Sequence, residues 1–192
     1  MPKIDAATVA EHRTARRAAL LDAAVALLHE HPETVPGLAE VGRHAGLSRS
    51  AVYHYFGSSQ DLLTAVLEDT FPRWQRRFDS AYAASSTPAD CVRAYVRENL
   101  ALVAEGEHAL ARSLTAVVPD SEMASRSAAF HSRLIEPLTK ALGDIGDPAP
   151  ELTTELVNAL VLAGARRLEA GVALEDVTAA VSRLVEPYLS RA

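Results

Sequence analysis

Hydrophobic side chains recur along this chain at the three- and four-residue spacing of helices, and the alternating pattern of strands is absent. Clusters of proline, glycine and serine divide the pattern into about nine segments. The predicted helices cover about residues 8–30, 37–44, 48–54, 58–83, 89–104, 107–117, 121–142, 151–170 and 174–190. Pro72 falls inside the fourth segment, so we expect a kink or a break near Phe71. The pattern therefore predicts an all-α fold.

The stretch from residue 35 to residue 63 has the spacing of a helix-turn-helix. Its apolar residues fall where two short helices and the start of a third would share one core: Leu38, Val41, Leu47, Val52 and Phe56. Between the short helices, Gly46 can adopt the positive φ that ends a helix at low cost. Ser48 can then cap the next helix by accepting a hydrogen bond from a backbone N–H. In this motif the second helix is held out from the domain so that it can enter a DNA major groove.

The outward positions of that second helix carry hydrogen-bonding side chains and no acidic group: Arg49, Ser50, Tyr53 and His54. Arg49 is the strongest candidate for a base contact, because arginine can bind O6 and N7 of guanine together. A phosphate contact and a solvated side chain are the alternative interpretations. Ser48 and Ser50 can reach a phosphate or a base edge, unless Ser48 serves only as a cap. We therefore expect this face to contact DNA.

Three further arginines are candidate contacts to the DNA backbone. Arg43 lies on the exposed side of the second predicted helix, and Arg16 and Arg17 lie on the first. A solvated helix face is an equally good interpretation for each of them, because surface charges need no partner.

The run A-G-L-S-R-S-A-V-Y-H-Y-F-G-S, followed by Leu-Leu, resembles the DNA-binding segment of TetR-family transcriptional regulators. The match covers about 25 residues. It departs from the family pattern at Ser59, where lysine is usual, at Gly42, where alanine is common, and at residues 35–37, where a threonine-rich helix start is usual. The resemblance implies that Tyr53 and His54 contact phosphates, and His54 could also read a base. The change at Ser59 removes an expected phosphate contact.

The resemblance further implies two domains: a helix-turn-helix domain at residues 1–57 and a larger helical domain at residues 58–192 that binds an effector and dimerises. A dimer would bind a palindromic operator, and a small molecule in the second domain would release it. The wall of such a ligand site is expected to include Trp74, Phe78, Tyr95, Asn99, Phe130 and His131. Aromatic residues in such positions are more often plain core. Asn99 lies among apolar residues, so if buried it needs a partner, most often a backbone carbonyl.

The last two predicted helices are unusually apolar for the end of a chain. Residues 156–165 read L-V-N-A-L-V-L-A-G-A, which leaves almost no polar face. A helix of this kind needs two packing surfaces, and one of them can be a second copy of the chain. The candidate dimer residues are Leu156, Leu160, Ala163, Gly164, Val181, Leu184 and Tyr188.

The composition of the chain limits the cellular environment and the kinds of partner that can be expected. The single cysteine, Cys91, excludes an intrachain disulfide framework and suits a reducing cytosol, and no apolar run is long enough to predict a membrane span. The net charge is −6, but residues 1–56 sum to zero, so the acidic excess falls on the rest of the chain. We therefore expect modest non-specific affinity for DNA.

The sequence gives little support for a function as an enzyme. Catalytic motifs, clustered metal ligands and cofactor-binding motifs are absent, so we expect a protein that is not an enzyme and carries neither metal nor cofactor. Two alternatives to a DNA-binding regulator stay open. One is a helical adaptor that has lost DNA binding, suggested by Ser59 and the acidic balance, and the other is a small all-helical enzyme.

Overall fold

The computed structural model describes residues 6–31, 34–108, 110–111, 114 and 120–190, and every bounded element in them is a helix. In chain order these are α1 (Ala6–Glu30), α2 (Leu38–His44), α3 (Arg49–Tyr53), α4 (Ser59–Ala83), α5 (Pro88–Ala104), α6 (Asp120–Asp144), α7 (Pro150–Glu169) and α8 (Leu174–Leu189). The prediction of an all-α fold is confirmed, and the number of helices is close to the nine expected.

The predicted segment at residues 107–117 falls partly outside the described residues. Within it, helical backbone is described at Glu107, His108, Leu110, Ala111 and Leu114. Of the kink or break predicted near Phe71, the break is wrong, because α4 runs continuously from Ser59 to Ala83. Pro137 in α6 and Pro187 in α8 are likewise inside their helices. A proline removes one backbone hydrogen bond, and the neighbouring bonds and side-chain packing keep the helix intact.

The chain forms two compact units. The first comprises Met1–Thr70 together with Ala109–Asp120, and the second comprises Phe71–His108 together with Ser121–Ala192. The division falls inside α4, between Thr70 and Phe71. The predicted functional domains, 1–57 and 58–192, therefore do not coincide with the compact units, and they remain a prediction about function.

The first unit is built on leucines and valines from α1, α2, α3 and the first half of α4. Fully or almost fully buried side chains include Leu20, Leu28, Leu38, Val41, Val52, Phe56, Leu62, Leu63, Val66 and Leu67. Helix α2 packs against both α1 and α3. Because α2 and α3 are only seven and five residues long, this shared core, and not intrinsic helix stability, must hold them in place.

In the second unit, α5 packs on both α7 and α8, which also pack on each other. Helix α5 begins with a full capping box, in which the Thr87 hydroxyl accepts the Asp90 N–H and the Asp90 carboxylate accepts the Thr87 N–H. Arg93 of α5 donates two hydrogen bonds of 2.8 Å to the Glu186 carboxylate of α8. These contacts fix α5 at its start and against α8.

Candidate functional sites

The turn between α2 and α3 has the geometry that the sequence predicted. Gly46 has a φ of +68°, and the Leu47 N–H donates to the Gly42 carbonyl at 2.7 Å, which closes the end of α2. The Ser48 hydroxyl accepts the Ala51 N–H at 3.3 Å and so caps α3. Gly46 thus ends α2 and Ser48 starts α3, as the sequence predicted.

Helices α2 and α3 approach each other very closely at Gly42. A β-carbon built on this residue would stand 2.4 Å from Cγ2 of the fully buried Val52 and 3.3 Å from the Leu47 carbonyl oxygen. The departure from the family pattern at this position is thus explained by packing, because in this chain Val52 fills the space that an alanine methyl would need.

The predicted DNA-contacting side chains of α3 all lie at the surface. Arg49, Ser50 and His54 are exposed, and the Tyr53 side chain is 48% exposed. The Arg49 guanidinium lies over the Tyr53 ring, 5.6 Å from its centroid. The hydroxyl oxygens of Ser48 and Ser50 are 3.1 Å apart. One exposed surface therefore carries an arginine, a phenol, an imidazole and two hydroxyls.

The neighbouring helices add cations to this unit. Arg43 on α2 and Arg16 and Arg17 on α1 are exposed, and the Arg17 guanidinium lies over the Phe56 ring at 5.8 Å. Ser58 caps α4 by accepting the Asp61 N–H at 3.1 Å, which makes Ser59 the first helical residue. A side chain at position 59 therefore leaves from a helix N-terminus, where backbone N–H groups favour an anion.

In the second unit, the six side chains predicted to line a ligand site lie in different surroundings. Trp74 and Phe130 contact each other, with ring centroids 5.7 Å apart, whereas Phe78 contacts Tyr82. His131 is exposed on α6. The predicted set thus divides into an aromatic group around Trp74, core residues, and one surface histidine.

Tyr95 and Asn99 belong to a buried hydrogen-bond chain in α5. The Tyr95 hydroxyl, on a side chain that is almost fully buried, donates to the Asn158 amide oxygen of α7 at 2.7 Å. The Asn99 amide donates to the Tyr95 carbonyl at 2.7 Å, so its partner is a backbone carbonyl, as expected. Burial raises the pKa of the Tyr95 phenol, which therefore stays a hydrogen-bond donor at neutral pH.

Three residues near Trp74 were not identified from the sequence. The Phe71 ring contacts both Trp74 and Phe130, with centroids at 5.2 and 5.1 Å. The Trp74 indole N–H donates to the Glu107 carboxylate at 3.0 Å, and Arg73 lies 3.5 Å from the same carboxylate. Glu107 is far from Trp74 in sequence, and no local pattern connects the two. Only the folded arrangement of α4 reveals this group.

The outer faces of α7 and α8 carry large exposed apolar side chains. The most exposed are Leu152, Leu156, Leu162, Leu184 and Tyr188, with Leu184 64% and Leu156 59% exposed. Leu160 and Ala163 are half-buried, while Gly164 and Val181 are buried. A groove of about 540 Å³ runs between the two helices, with Gly164 and Val181 among the residues that line it.

Gly164 lets α7 approach its neighbours within the chain. A β-carbon there would stand 2.9 Å from Leu100 and 3.0 Å from Val177.

Among the described residues, the structure contains no group of histidine, cysteine, aspartate and glutamate that could hold a metal ion. The described helices also include none with the length and hydropathy of a membrane span.

Known proteins resemble this chain most clearly in the first unit. Residues 20–66 match the family model described as bacterial regulatory proteins, tetR family. The chain is 32% identical over 97 residues to the HTH-type transcriptional regulator BetI of Rhizobium meliloti (strain 1021), covering 50% of this chain and 45% of that protein. It is 26% identical over 115 residues to BetI of Brucella canis, covering 60% and 55%. The matches thus span about half the length of these relatives.

Solved structures share the fold over nearly the whole chain. A TetR-family transcriptional regulator from Streptomyces coelicolor has a TM-score of 0.76 and 20% identity, with 99% of this chain and 96% of that one covered. The TetR-like regulator LfrR of Mycobacterium smegmatis, in complex with proflavine, has a TM-score of 0.66 and 24% identity, with 88% and 93% covered. The sequence motif, the relatives and the fold therefore agree in their similarity to TetR-family regulators, and the family model itself matches residues 20–66 of this chain.

Proposed function

We propose that this protein is a transcriptional regulator that binds a palindromic DNA operator as a homodimer in the cytoplasm and releases it when a small molecule binds the second unit. The observation that carries the proposal is the exposed face of α3. This short helix, capped by Ser48, presents Arg49, Ser50, Tyr53 and His54 to solvent with no carboxylate among them. Such a face suits the major groove, where arginine pairs with guanine and hydroxyls reach phosphates.

The apolar faces of α7 and α8 support the dimer. Exposed apolar patches on this scale commonly mark an interface, and a twofold axis would pair each helix with its own copy. The residues in contact with the second copy would be Leu156, Leu160 and Ala163 of α7 and Leu184 and Tyr188 of α8. The groove above Gly164 and Val181 would receive a partner side chain. The proposal requires that dimerisation bring two α3 helices to the separation of two operator half-sites, about 34–36 Å for one DNA turn.

The continuous helix α4 supports coupling of a ligand to DNA release. It passes from the first unit to the second without a break. We infer that a displacement of its second half would move its first half. Structural relatives are described in complex with proflavine and with triclosan, which favours a small-molecule effector in this protein also. Release then follows if the ligand binds the conformation with lower operator affinity more tightly.

A footprinting experiment tests the proposal. The full-length protein is incubated with DNA from upstream of its own gene and of the neighbouring genes. Two protected half-sites related by a twofold axis, with affinity at least about a thousandfold above that for unrelated DNA, are expected. Protection without dyad symmetry, or equal affinity for all sequences, would count against a dimeric operator-binding regulator and favour an adaptor.

A further inference from the structure

Three aromatic rings of the second unit form one group, which we call the Trp74 cluster: Phe71 and Trp74 on α4 and Phe130 on α6. Each ring contacts the other two, with centroid separations of 5.1 to 5.7 Å. Trp74 is buried, whereas Phe71 and Phe130 are only half-buried, so part of their ring surface stays accessible. The faces of such rings carry partial negative charge and attract cations.

A carboxylate lies at the edge of this cluster. The Glu107 side chain is only 12% exposed, and its Oε2 accepts the indole N–H of Trp74 at 3.0 Å. A largely buried carboxylate is unfavourable without a positive partner or several hydrogen bonds. The indole N–H is a neutral donor and supplies one hydrogen bond, so the position beside Glu107 favours a cation.

In this structure the Arg73 guanidinium occupies that position, but loosely. Its Nη2 lies 3.5 Å from Glu107 Oε1, and its side chain is 43% exposed. One turn further along α4, Arg77 makes contacts of 2.8 Å to Glu98 and 2.6 Å to Glu105. A long contact from an exposed arginine adds little stability, because the guanidinium remains well solvated. Arg73 can therefore move into solvent when another cation approaches Glu107.

We propose that Glu107 and the Trp74 cluster form the effector site and that the effector is an organic cation, with its charge beside Glu107 and its carbon body on the open surfaces of Phe71 and Phe130. The effector takes the place of the Arg73 guanidinium. This inference rests on the proposed function and specifies its ligand class. Phe71 is the first residue of the second unit on α4, so a ligand on its ring contacts the helix that continues into the DNA-binding unit.

The site carries its own optical probe, because Trp74 is the only tryptophan of the chain. The full-length protein is titrated with three probes that share a benzyl group: benzyltrimethylammonium, benzyl alcohol and phenylmethanesulfonate. A saturable change in tryptophan emission is expected for the cation, with affinity at least about tenfold above that of the neutral and anionic probes. Equal affinities for the three probes would overturn the assignment.

Two substitutions should move the cation affinity in opposite directions. Glu107→Gln keeps a hydrogen-bond acceptor for the indole and removes the charge, so the benzyltrimethylammonium affinity should fall about tenfold or more. Arg73→Gln removes the competing guanidinium, so the affinity should rise by about threefold to tenfold. Glu105→Gln is the matched control, because it removes a carboxylate that binds Arg77 instead, and it should leave the affinity unchanged.

The Arg73→Gln result keeps the proposal testable if Glu107→Gln fails to fold. A carboxylate with a purely structural role would give no gain in cation affinity when Arg73 is removed, and that outcome would overturn the proposal. Operator binding is measured in parallel without probe. Specific operator binding with no cation preference removes this inference and leaves the proposed function. Cation binding without any specific operator leaves the cation site, but it removes the proposed function and with it the role of the site in releasing DNA.

Discussion

Gly42 and Val52 lie in contact at the crossing of α2 and α3, where a β-carbon on residue 42 would stand 2.4 Å from Val52 Cγ2. We expect Gly42→Ala to destabilise the first unit by about 1–3 kcal/mol, the usual range for an overpacked core, although alanine is the better helix former. Urea unfolding at fixed protein concentration measures this change. Adding Val52→Ala makes room for the methyl group, so the double variant should lose less than the sum of the two single losses.

Arg49 should determine operator specificity. If it pairs with a guanine, Arg49→Ala should weaken binding to the cognate operator by about 1–3 kcal/mol and weaken binding to unrelated DNA much less. Equal losses on both DNAs would make Arg49 a phosphate contact. Tyr53→Phe is the matched variant, because it keeps the ring beneath Arg49 and removes only the hydroxyl. It should weaken all sequences alike.

Ser59 occupies the first position of α4, directly after its cap Ser58. Ser59→Lys should add a phosphate contact at this helix start, so operator affinity should rise and its salt dependence should steepen by about 0.9 per half-site. The measurement is operator affinity at a series of potassium chloride concentrations. An unchanged slope would mean that residue 59 does not face the DNA backbone.

The exposed leucines of α7 and α8 should hold the dimer. We expect a permanent interface that buries about 2,000 Å² or more. An arginine at this interface would bring a charge close to its own copy across a twofold axis. We therefore expect three variants to become monomeric or to aggregate, and to lose operator affinity: Leu184→Arg, Leu160→Arg and Ala163→Arg. Light scattering gives the mass. Val35→Arg is the control, because it changes an exposed apolar residue of the first unit, and this variant should keep the mass of a dimer. A wild-type monomer at micromolar concentration would contradict the dimer.

Acid should weaken the link between α5 and α8. The two hydrogen bonds from Arg93 lower the pKa of the Glu186 carboxyl, so their contribution to stability is present above the pKa of a free glutamate, about 4.3, and is lost as the pH falls through the lowered value. Glu186→Gln should reduce the free energy of unfolding at pH 7 by less than about 1 kcal/mol, because the pair is partly exposed. This difference should disappear in urea titrations at lower pH.

The local features of the fold could be predicted from the sequence because each depends on neighbouring residues. Gly46 and Ser48 specify the turn before α3, and their effect needs no distant contact. Most predicted helix ends agree with the observed ones within one or two residues. The effect of Pro72 could not be predicted in this way. Whether a proline breaks a helix depends on the packing around it, and that packing involves residues that are distant in sequence.

The candidate effector site could be predicted only in part. Trp74 and Phe130 were identified as aromatic residues, but their pairing joins α4 to α6. Glu107 and Arg73 were missed, because a glutamate and an arginine on helices usually lie in solvent and no spacing rule relates them to a distant tryptophan. His131 lies exposed on α6, and its contact with a ligand stays a prediction. Burial of polar groups depends on long-range packing, which periodicity alone does not give.

The division of the chain within α4 has a consequence for exchanging DNA specificity between regulators. Leu62, Leu63, Val66 and Leu67 follow the helix-turn-helix in sequence, yet they are completely buried and belong to the first unit. A chimaera joined at residue 57 would give these four side chains a foreign set of neighbours. A junction after Thr70 keeps them, but it still separates the unit from residues 109–120. The first unit is therefore not contained in one continuous segment, and grafting it onto another protein requires two transplanted segments.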